Sequence, residues 1–488
     1  MYKFKRLIIL ITTSLVVNCN AQIGTIDASF ITGNGLNSVA NCVINTSNNK
    51  ILVGGYFANY DGTTVSKIVR LNNDGSIDNS LTGIISGFNG PINCIIEQPD
   101  GKLLCGGGFT SFNGNTRNYL VRLNSDGTED LTFNIGTGFN SNVLCMILQS
   151  DGKIIIGGQF GYFNGSNTYK CIIRLNSNGS VDNTFNSGTG FARTLTGGNL
   201  LLNSMVQQSD GKIVIAGEFD TYNGSIVRNI VKLNNNGTID SNFQIGLGLQ
   251  SSSGGSDAKC IKLHNDGKLL VSGKFNTYNG NSYNGIVRLN NDGTPDLSFN
   301  IGTGFLNPGY SFGYKVLSMA DSSIIVSNSG SNSINSQTVT SVCVLNYDGS
   351  VKYANVFKFM TYDIVYDALI QNDGKIIFVG SFTFYDNVVK NNIVRVNGLL
   401  STDIIESDNT LPFSLFPNPT NDIINIQLDK NENKVTKVIL TNPLGEVLIN
   451  ESFSCDKISL TTKQLKNGVY YLTISTDKLM GTKKIIKN

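Results

Sequence analysis

Histidine, the side chain that many hydrolases use as a general base, occurs once in this chain. His264 is the single histidine among 488 residues, whereas the Ser–His–Asp and Cys–His mechanisms each depend on one. It stands four residues before Lys268, in a slot that other copies of the same pattern fill with glutamine. The sequence also lacks zinc-protease, CxxC, nucleophile-elbow and phosphate-loop motifs in a supporting context. We therefore interpret His264 as structural and expect no catalytic residue and no enzymatic activity.

Two carboxylates are the remaining candidates for catalysis. Asp367 occupies a strand position that four other copies of the pattern fill with cysteine, and Asp363 precedes it by four residues. Glycoside hydrolysis requires a pair of carboxylates. An ionised carboxylate must reach water or a partner, so we interpret Asp367 as a structural residue that faces a central channel. An extracellular polysaccharide hydrolase is kept as an alternative function.

Oxygen-rich turns resemble short calcium loops at three places. Residues 72–75, 124–127 and 290–293 each end in Asp-Gly, and each is followed by a further aspartate, at Asp78, Asp130 and Asp296. Calcium prefers such clustered oxygen ligands. However, the first ligand is asparagine, no glutamate closes the site, and hydrogen bonds within Asx turns explain the same residues. We expect no cofactor and no metal site, with calcium as the alternative.

These motifs belong to a unit that recurs seven times. Each unit is aligned on an Asp-Gly-Lys turn, and successive turns are 51 to 59 residues apart. The lysine slot falls at Lys50, Lys102, Lys153, Lys212, Lys268, Ser323 and Lys375. In every copy except the sixth, a glycine follows five residues later and a phenylalanine seven residues later. A period of this length is typical of propeller blades rather than of short solenoid turns.

One unit predicts one blade of four antiparallel strands. Residues 143–148, 153–158 and 169–175 are apolar runs rich in β-branched residues, and a shorter fourth strand is predicted near Phe185. Asn-Gly and Asp-Gly turns separate them. We therefore predict an all-β protein, with a seven-bladed β-propeller over residues 22–398. Residues 25–36 repeat the end of a unit and should complete the last blade.

Four cysteines share one slot in this pattern, eight residues before the turn lysine. Equivalent positions on neighbouring blades are usually too far apart for a disulfide, so we predict buried thiols in preference to a disulfide or metal framework. The residues are Cys42, Cys94, Cys145 and Cys260.

The N-terminus has the pattern of a secretory signal peptide. Residues 1–6 are basic, residues 7–17 are apolar, and Ala21 ends a small-residue cleavage site. We predict cleavage after residue 21, with lipidation at Cys19 as an alternative that Asn18 disfavours. No later stretch approaches the roughly 20 apolar residues that span a bilayer. With a formal charge of +2 and no basic face, we expect neither a membrane span nor a nucleic-acid partner.

The repeat resembles a known family. The shared marks are the DGK turn, GGxF, YNG or FNG, RLNxDG and DxxF, and together they resemble the delta-60 repeat, which occurs in secreted bacterial proteins. The resemblance covers residues 25–398 approximately and implies a propeller-like fold, but it brings no established activity.

A different domain follows the repeats. Residues 399–410 are polar and predict a linker, and the strand-like segments of residues 411–488 predict a small β-sandwich. This part resembles the C-terminal sorting domain of the type IX secretion system. The matched positions are Pro417, Asn418, Pro419, Gly445, Gly468, Tyr470, Lys483 and Lys484.

That resemblance implies a location and one partner. Such domains carry proteins through the periplasm and across the outer membrane of Bacteroidetes-type bacteria, so the type IX secretion machinery is the expected partner. The protein is then expected to be secreted or held at the outer cell surface. The alternative is an unrelated adhesive β-sandwich that stays on the mature protein.

A binding face can also be predicted. Insertions at residues 192–201, 250–258 and 306–314 fall on one propeller face, together with the aromatic-Asn-Gly turns, which we interpret as packing elements. The inserts carry the residue types suited to ligand contact, namely Arg193, Tyr310, Phe312 and Tyr314. We expect a non-enzymatic binding or adhesion module for an extracellular glycan, peptide or surface protein. A structural surface-layer component is a further alternative.

Overall fold

The computed structural model describes most of the chain from residue 23 onward. The described residues are 23–194, 199–252, 254–305, 315–328, 332–335, 337–360, 362–398, 413–428, 436–442, 447–453, 457–475 and 480–487. The predicted signal peptide (residues 1–21) and linker (residues 399–410) lie outside them. The chain divides into two compact units, Met1–Leu400 and Ser401–Asn488.

The first unit is built from seven antiparallel sheets, one for each repeat. The inner strands are Ala40–Asn45, Ile92–Glu97, Val143–Leu148, Leu201–Gln207, Asp257–Leu263, Lys315–Ser318 and Ile364–Ile370. The middle strands are Ile51–Gly55, Leu103–Gly107, Ile154–Gly158, Ile213–Glu218, Leu269–Lys274, Ile324–Ser327 and Ile376–Ser381. The outer strands are Ile68–Leu71, Leu120–Leu123, Ile172–Leu175, Ile230–Leu233, Ile286–Leu289, Val342–Leu345 and Ile393–Val396.

Short hairpins follow the middle strands. Their strand pairs are Asn59–Tyr60 with Thr63–Thr64, Ser111–Phe112 with Asn115–Thr116, Thr221–Tyr222 with Ser225–Ile226, Thr277–Tyr278 with Asn281–Ser282, Asn332–Ile334 with Gln337–Val339, and Phe384–Tyr385 with Val388–Val389. The strands Phe191–Ala192 and Leu249–Gln250 each add to the hairpin of the following repeat.

The seven sheets form a closed ring. Each inner strand contacts the inner strand of the next repeat, and the last of them, Ile364–Ile370, contacts the first, Ala40–Asn45. No helix occurs among the described residues, and so no helix there is long and apolar enough to cross a membrane. The predicted all-β propeller is confirmed.

A bulge in the inner strand leaves no room for a side chain at the second glycine of each Gly-Gly pair. Pairing of the first two strands shifts register between Ala40 and Cys42. An ideal Cβ on Gly55 would lie 2.4 Å from the carbonyl oxygen of Val39, far inside contact distance. The preceding residue, Gly54, leaves room for the thiol of Cys42, which an added Cβ would approach to 2.9 Å. A β-bulge thus explains why this slot requires glycine.

The slot-sharing cysteines are free thiols, as predicted. Cys42 and Cys260 are buried, and Cys94 and Cys145 are partly buried. Their place over a small residue of the middle strand explains why a compact side chain recurs there.

A buried arginine links each of five sheets to its neighbour. In the second repeat, Arg122 Nε donates to Asp130 at 2.8 Å, and Nη1 donates to the carbonyl oxygen of Ser177, in the next repeat, at 2.5 Å. The guanidinium also lies 4.6 Å over the ring of Phe133, and Lys102 reaches Asp130 at 3.0 Å. The equivalent ion pairs are Arg70–Asp78, Arg174–Asp182, Arg288–Asp296 and Arg395–Asp27.

The predicted fourth strand near Phe185 is wrong. Outside the third strand the chain makes one isolated bridge, Leu175 to Val181. Asp182 then turns the chain, because its carboxylate accepts hydrogen bonds from the amide and hydroxyl of Thr184 at 3.0 and 2.7 Å. An Asx turn of this kind competes with a strand ladder.

The sixth repeat supports this explanation. Val344 occupies its arginine slot and Lys352 its aspartate slot, so the turn cannot form. The chain continues as the strand Val351–Tyr353, and this is the one four-stranded sheet among the described residues of the propeller. Lys352 pairs instead with Asp321 at 2.6 Å.

The N-terminal segment closes the ring, as predicted. Ile26 bridges to Val396, and Asn397 N donates to Thr25 O at 2.8 Å. Asp27 accepts from Arg395 Nε at 2.7 Å, and Lys375 lies 3.0 Å away. One end of the chain therefore supplies the aspartate that the last repeat needs.

The second unit contains two sheets around one apolar core. One sheet orders Phe413–Phe416, Ile423–Leu428 and Lys457–Thr461, and the other orders Val447–Phe453, Thr436–Thr441, Gly468–Ser475 and Met480–Lys487. Both sheets contribute buried residues to the core, among them Ile424, Val438, Leu472 and Ile485.

We expect Asp27→Asn to destabilise the propeller by about 3 kcal/mol, because it removes the charge partner of buried Arg395. Burial opposes ionisation, but hydrogen bonds from Ser29, Lys375 and Arg395 lower the pKa of Asp27 from 3.8 to about 2. The stabilisation should be present above about pH 4 and be lost as the pH falls through about 2. Urea unfolding of the full chain at several pH values measures it.

Asp373→Asn is the matched control, since Asp373 is a half-exposed partner of the same Lys375, at 3.7 Å. Its effect should stay below about 0.5 kcal/mol. Equal losses in the two variants would contradict the closure described above.

Candidate functional site

The inner strands surround a central channel of about 600 Å³. The residue inside each bulge contributes to its lining. In chain order these residues are Asn41, Asn93, Leu144, Asn203, Lys259 and Tyr366. The bulge leaves this residue out of the strand pairing, so its identity can vary without loss of the sheet.

Asparagine at the bulge position links neighbouring sheets. Asn41 Nδ2 donates to Ile92 O at 3.0 Å, and Asn93 Nδ2 donates to Val143 O at 3.0 Å. These side chains satisfy a carbonyl group of the next inner strand. The residues that depart from asparagine therefore mark where the channel becomes chemically distinctive.

A charged cluster lies at one such departure, between the fourth and fifth sheets. Arg193 Nη1 contacts Glu218 Oε2 at 2.5 Å, and Lys259 Nζ lies 3.8 Å from Glu218 Oε1. Lys259 also forms an ion pair with Asp257, whose carboxylate accepts from Asn203 Nδ2 at 2.8 Å. We call Arg193, Asn203, Glu218, Asp257 and Lys259 the channel-edge cluster.

Asp257 has the most unusual electrostatics in this cluster. Burial is the main cause that raises its pKa, and the adjacent carboxylate of Glu218 raises it further. The ion pair with Lys259 lowers the pKa, but the net result is a rise from 3.8 to about 6. Asp257 can thus hold a proton at mildly acidic pH, while Arg193 and Lys259 pair with the carboxylate of Glu218.

The structure places one of the four predicted ligand residues in the cluster. The side chain of Arg193 is only 7% exposed and is occupied by Glu218. Tyr310, Phe312 and Tyr314 lie outside the described residues.

Sequence reasoning missed Glu218 and Lys259, which are the more accessible members of the cluster, at 20% and 22% side-chain exposure. A usable signal was present. Glu218 follows Gly217, and the equivalent slot of other repeats holds Tyr56, Gly108 and Gln159.

The carboxylates proposed for hydrolysis are both engaged by protein groups. Asp367 lines the channel, as predicted, and contacts Lys315 Nζ at 2.5 Å and Val43 N at 3.0 Å. Asp363 accepts a hydrogen bond from Met360 N at 2.8 Å, and burial raises its pKa. The two side chains have different environments and different roles.

His264 is held at a turn between two repeats. It is buried, with Nδ1 3.0 Å from Asp266 Oδ1 and Nε2 3.3 Å from Ser322 O. Its ring packs against Tyr347 at 5.5 Å. These contacts agree with a structural role.

The aromatic-Asn-Gly turns pack the propeller, as predicted. Tyr222 is buried, and its hydroxyl donates to Gly237 O at 2.6 Å. The next residue, Asn223, accepts a hydrogen bond from Thr189 N of the preceding loop at 3.2 Å. These rings are therefore not available for ligand stacking.

The aspartates considered as calcium ligands face arginines instead. Asp78, Asp130 and Asp296 each accept a hydrogen bond from an arginine Nε at 2.7 to 2.8 Å. Within the described part of the chain, no group of three or more His, Cys, Asp or Glu side chains is arranged to hold a metal ion.

The second unit brings the predicted sorting residues together in part. Asn418, between Pro417 and Pro419, hydrogen-bonds the main chain at Lys484. Tyr470 is buried and donates to Lys466 O at 2.8 Å. Gly468 begins a strand, and Lys483 is exposed. Gly445 lies outside the described residues.

Comparison with known families matches both units. The family described as "Domain of unknown function (DUF5122) beta-propeller" matches residues 46–81, 98–133, 149–185, 208–243, 264–299 and 371–398. The family described as "Secretion system C-terminal sorting domain" matches residues 414–488. No curated protein matches the chain.

Two solved structures show a distant likeness to the chain. The extracellular domain of the hybrid two-component system BT4673 from B. thetaiotaomicron aligns with 96% of this chain and 59% of that domain, at 12% identity and a TM-score of 0.43. The exported protein BF0058 from Bacteroides fragilis aligns with 63% of this chain and 82% of that protein, at 10% identity and a TM-score of 0.27. The chain therefore spans less than two thirds of the BT4673 domain, and we draw no function from either likeness.

Asp257 should titrate near pH 6. Because its pKa is raised from 3.8 to about 6, the folded protein keeps a proton that the unfolded chain has already released. The free energy of unfolding should fall by about 2 to 3 kcal/mol as the pH rises from about 4 to 6. Asp257→Asn should remove this dependence, measured by urea unfolding and by carbon NMR of the carboxyl group.

Asp151→Asn provides the control, because Asp151 is 56% exposed in a turn and should leave the pH dependence unchanged. An unchanged pH dependence in Asp257→Asn would show that Asp257 does not hold a proton in this pH range.

Proposed function

Because the chain carries DUF5122 beta-propeller repeats and ends in a secretion system C-terminal sorting domain, we propose that its propeller is a non-enzymatic recognition module. The sorting domain engages the type IX secretion machinery, and the protein is secreted or located at the cell surface. The proposed ligand is an extracellular glycan, peptide or surface protein. The channel-edge cluster is the proposed contact site.

The asymmetry of the cluster is the observation that supports this proposal. Most of the propeller uses equivalent residues for equivalent contacts, such as the arginine–aspartate pairs of five repeats. If every repeat presented the same side chains, a ligand would have several equivalent positions and no preferred one. The channel-edge cluster occurs at one place, between the fourth and fifth sheets, and it includes a residue of the insert at 192–201. Recognition commonly resides at such departures on a rigid scaffold.

The chemistry of the cluster suits a polar ligand. Glu218 can accept hydrogen bonds and Lys259 can donate them, and both are partly exposed. Their partners Arg193 and Asp257 are buried and hold them in position. This arrangement of paired donors and acceptors matches the hydroxyl and amide groups of glycans and peptides.

An extracellular polysaccharide hydrolase is the second candidate, and one observation favours it. A carboxyl group with a pKa of about 6, as at Asp257, retains a proton close to neutral pH, as a general acid requires. However, glycosidase carboxylates stand about 5 Å or more apart on either side of the bond that they cleave, whereas Asp257 and Glu218 are both held by the same lysine, Lys259. Binding without turnover is the better match.

We expect Glu218→Gln and Lys259→Met to weaken ligand binding by tenfold or more, about the effect of losing a hydrogen bond to a charged group. The full-length protein is first screened on glycan and peptide arrays, and the affinity for each ligand found is then measured for the variants. The matched control is Glu129→Gln, because Glu129 forms an ion pair with Arg117 in the second repeat.

Equal affinity of both cluster variants and the wild type would contradict the assigned site. Release of sugar from an array polysaccharide that is lost in Asp257→Asn would instead favour the hydrolase.

Removal of residues 411–488 should leave the propeller folded but held in the periplasm. The second unit has its own core, so its loss should not unfold the ring, while the element that the secretion machinery recognises is absent. Cell fractionation and the melting temperature of the periplasmic protein measure the two effects. Recovery of the truncated chain from the cell surface would remove the sorting assignment.

A further inference from the structure

One asparagine side chain joins the two ends of the sorting domain. Asn418 Nδ2 donates to Lys484 O at 2.7 Å, and Ile486 N donates to Asn418 Oδ1 at 2.8 Å. The two hydrogen bonds use both polar atoms of the amide. They hold a segment near the start of the domain against its last strand, although the residues are 66 to 68 positions apart.

The contact continues along the chain. Thr420 N donates to Ile486 O at 2.8 Å, and Thr420 forms a parallel bridge with Lys487. The strand Met480–Lys487 is at the edge of its sheet. The segment after Phe416 therefore covers part of an edge that would otherwise present unpaired main-chain groups.

Several side chains at this junction are exposed. Phe416 is 53% exposed and Ile486 is 37% exposed, and Lys483 and Lys484 are exposed as well. Between the exposed positions Lys484 and Ile486, Ile485 is fully buried in the core. The last strand thus has one face fixed in the domain and one face, with a cation and an apolar group, open to a partner.

We propose that Phe416–Pro419, Lys484 and Ile486 form one composite surface, positioned by Asn418, on which the type IX secretion machinery engages this chain. This inference rests on the sorting function stated above. The surface combines an exposed aromatic ring with one lysine, Lys484, so the partner surface should carry an acidic group beside an apolar pocket.

Asn418 acts here as a positioning residue. Both of these hydrogen bonds go to main-chain atoms of the last strand, so they fix where Lys484 and Ile486 stand without depending on their side chains. If the secretion machinery recognised the two segments as separate linear signals, the hydrogen bonds of Asn418 between them would not be needed for export. A composite surface needs it, because the partner must meet both segments in one orientation.

The test is export of the full-length protein from its own cells, measured as the fraction outside the cell relative to the periplasm. Asn418→Ala should lower this fraction by roughly fivefold, about the effect of losing one or two hydrogen bonds. Asn418→Asp keeps the acceptor for Ile486 N and loses the donor to Lys484 O. Its exported fraction should therefore lie between those of the wild type and Asn418→Ala. Asn425→Ala is the matched control, because Asn425 accepts a hydrogen bond from Ser459 in the same domain; its export should equal that of the wild type.

Two further variants separate recognition from folding. Phe416→Ala and Lys484→Glu change exposed side chains of the proposed surface, and each should lower export while the melting temperature of the domain is unchanged. Wild-type export of Asn418→Ala would overturn the proposal. So would loss of export in Asn418→Ala together with normal export of both surface variants, since that would assign Asn418 a role in stability alone.

Removal of residues 411–488 distinguishes a failure of the sorting function from a failure of the composite surface. If the truncated chain is exported, the sorting function itself fails. If the truncated chain is retained while Asn418→Ala is exported normally, the sorting function stands and only the composite surface is wrong.

Discussion

The propeller depends on buried arginines that can be satisfied only when the next sheet is in place. Arg122 bonds Asp130 and Thr132 within its own repeat, while Nη1 reaches the carbonyl oxygen of Ser177 in the following one. A buried guanidinium with an unpaired donor is costly. Each such arginine therefore favours the correct position of its neighbour, and repetition around the ring leads to closure. In the last repeat, Arg395 obtains Asp27 from the other end of the chain and the carbonyl oxygen of Asn73 from the first repeat.

The sixth repeat shows what happens when this pair is absent. Val344 and Lys352 replace the arginine and the aspartate, the Asx turn does not form, and a true fourth strand appears. The same aspartate thus ends the sheet and holds the arginine. The motif that resembles a calcium loop has these two roles in the structure, where its aspartate is paired with an arginine of the same repeat.

A scaffold held by repeated contacts leaves other positions free to differ. The bulge residue and the residue after the bulge-facing glycine differ from repeat to repeat, and the channel-edge cluster is built at these two positions, from Lys259 and Glu218. The sorting domain follows the same principle on a smaller scale. Its core is apolar, and its distinctive groups stand on the exposed face of one edge strand, held by Asn418.

The amino-acid sequence by itself determined the repeat, the turns, the thiol slot, the closure by residues 25–36 and the sorting domain. Most of these features are local, since a turn, a bulge glycine or an alternating strand is encoded within about ten residues. Closure is not local, but it follows from repetition, because residues 25–36 repeat the end of a unit. The fourth strand near Phe185 was mispredicted, because an apolar residue in a β-like pattern does not reveal that Asp182 turns the chain first. Only the tertiary structure decided which side chains meet. Arg193 and Glu218 are 25 residues apart, and Asn418 and Lys484 are 66 apart; their contacts depend on strand register and on the packing of one sheet against the next, which no local pattern encodes.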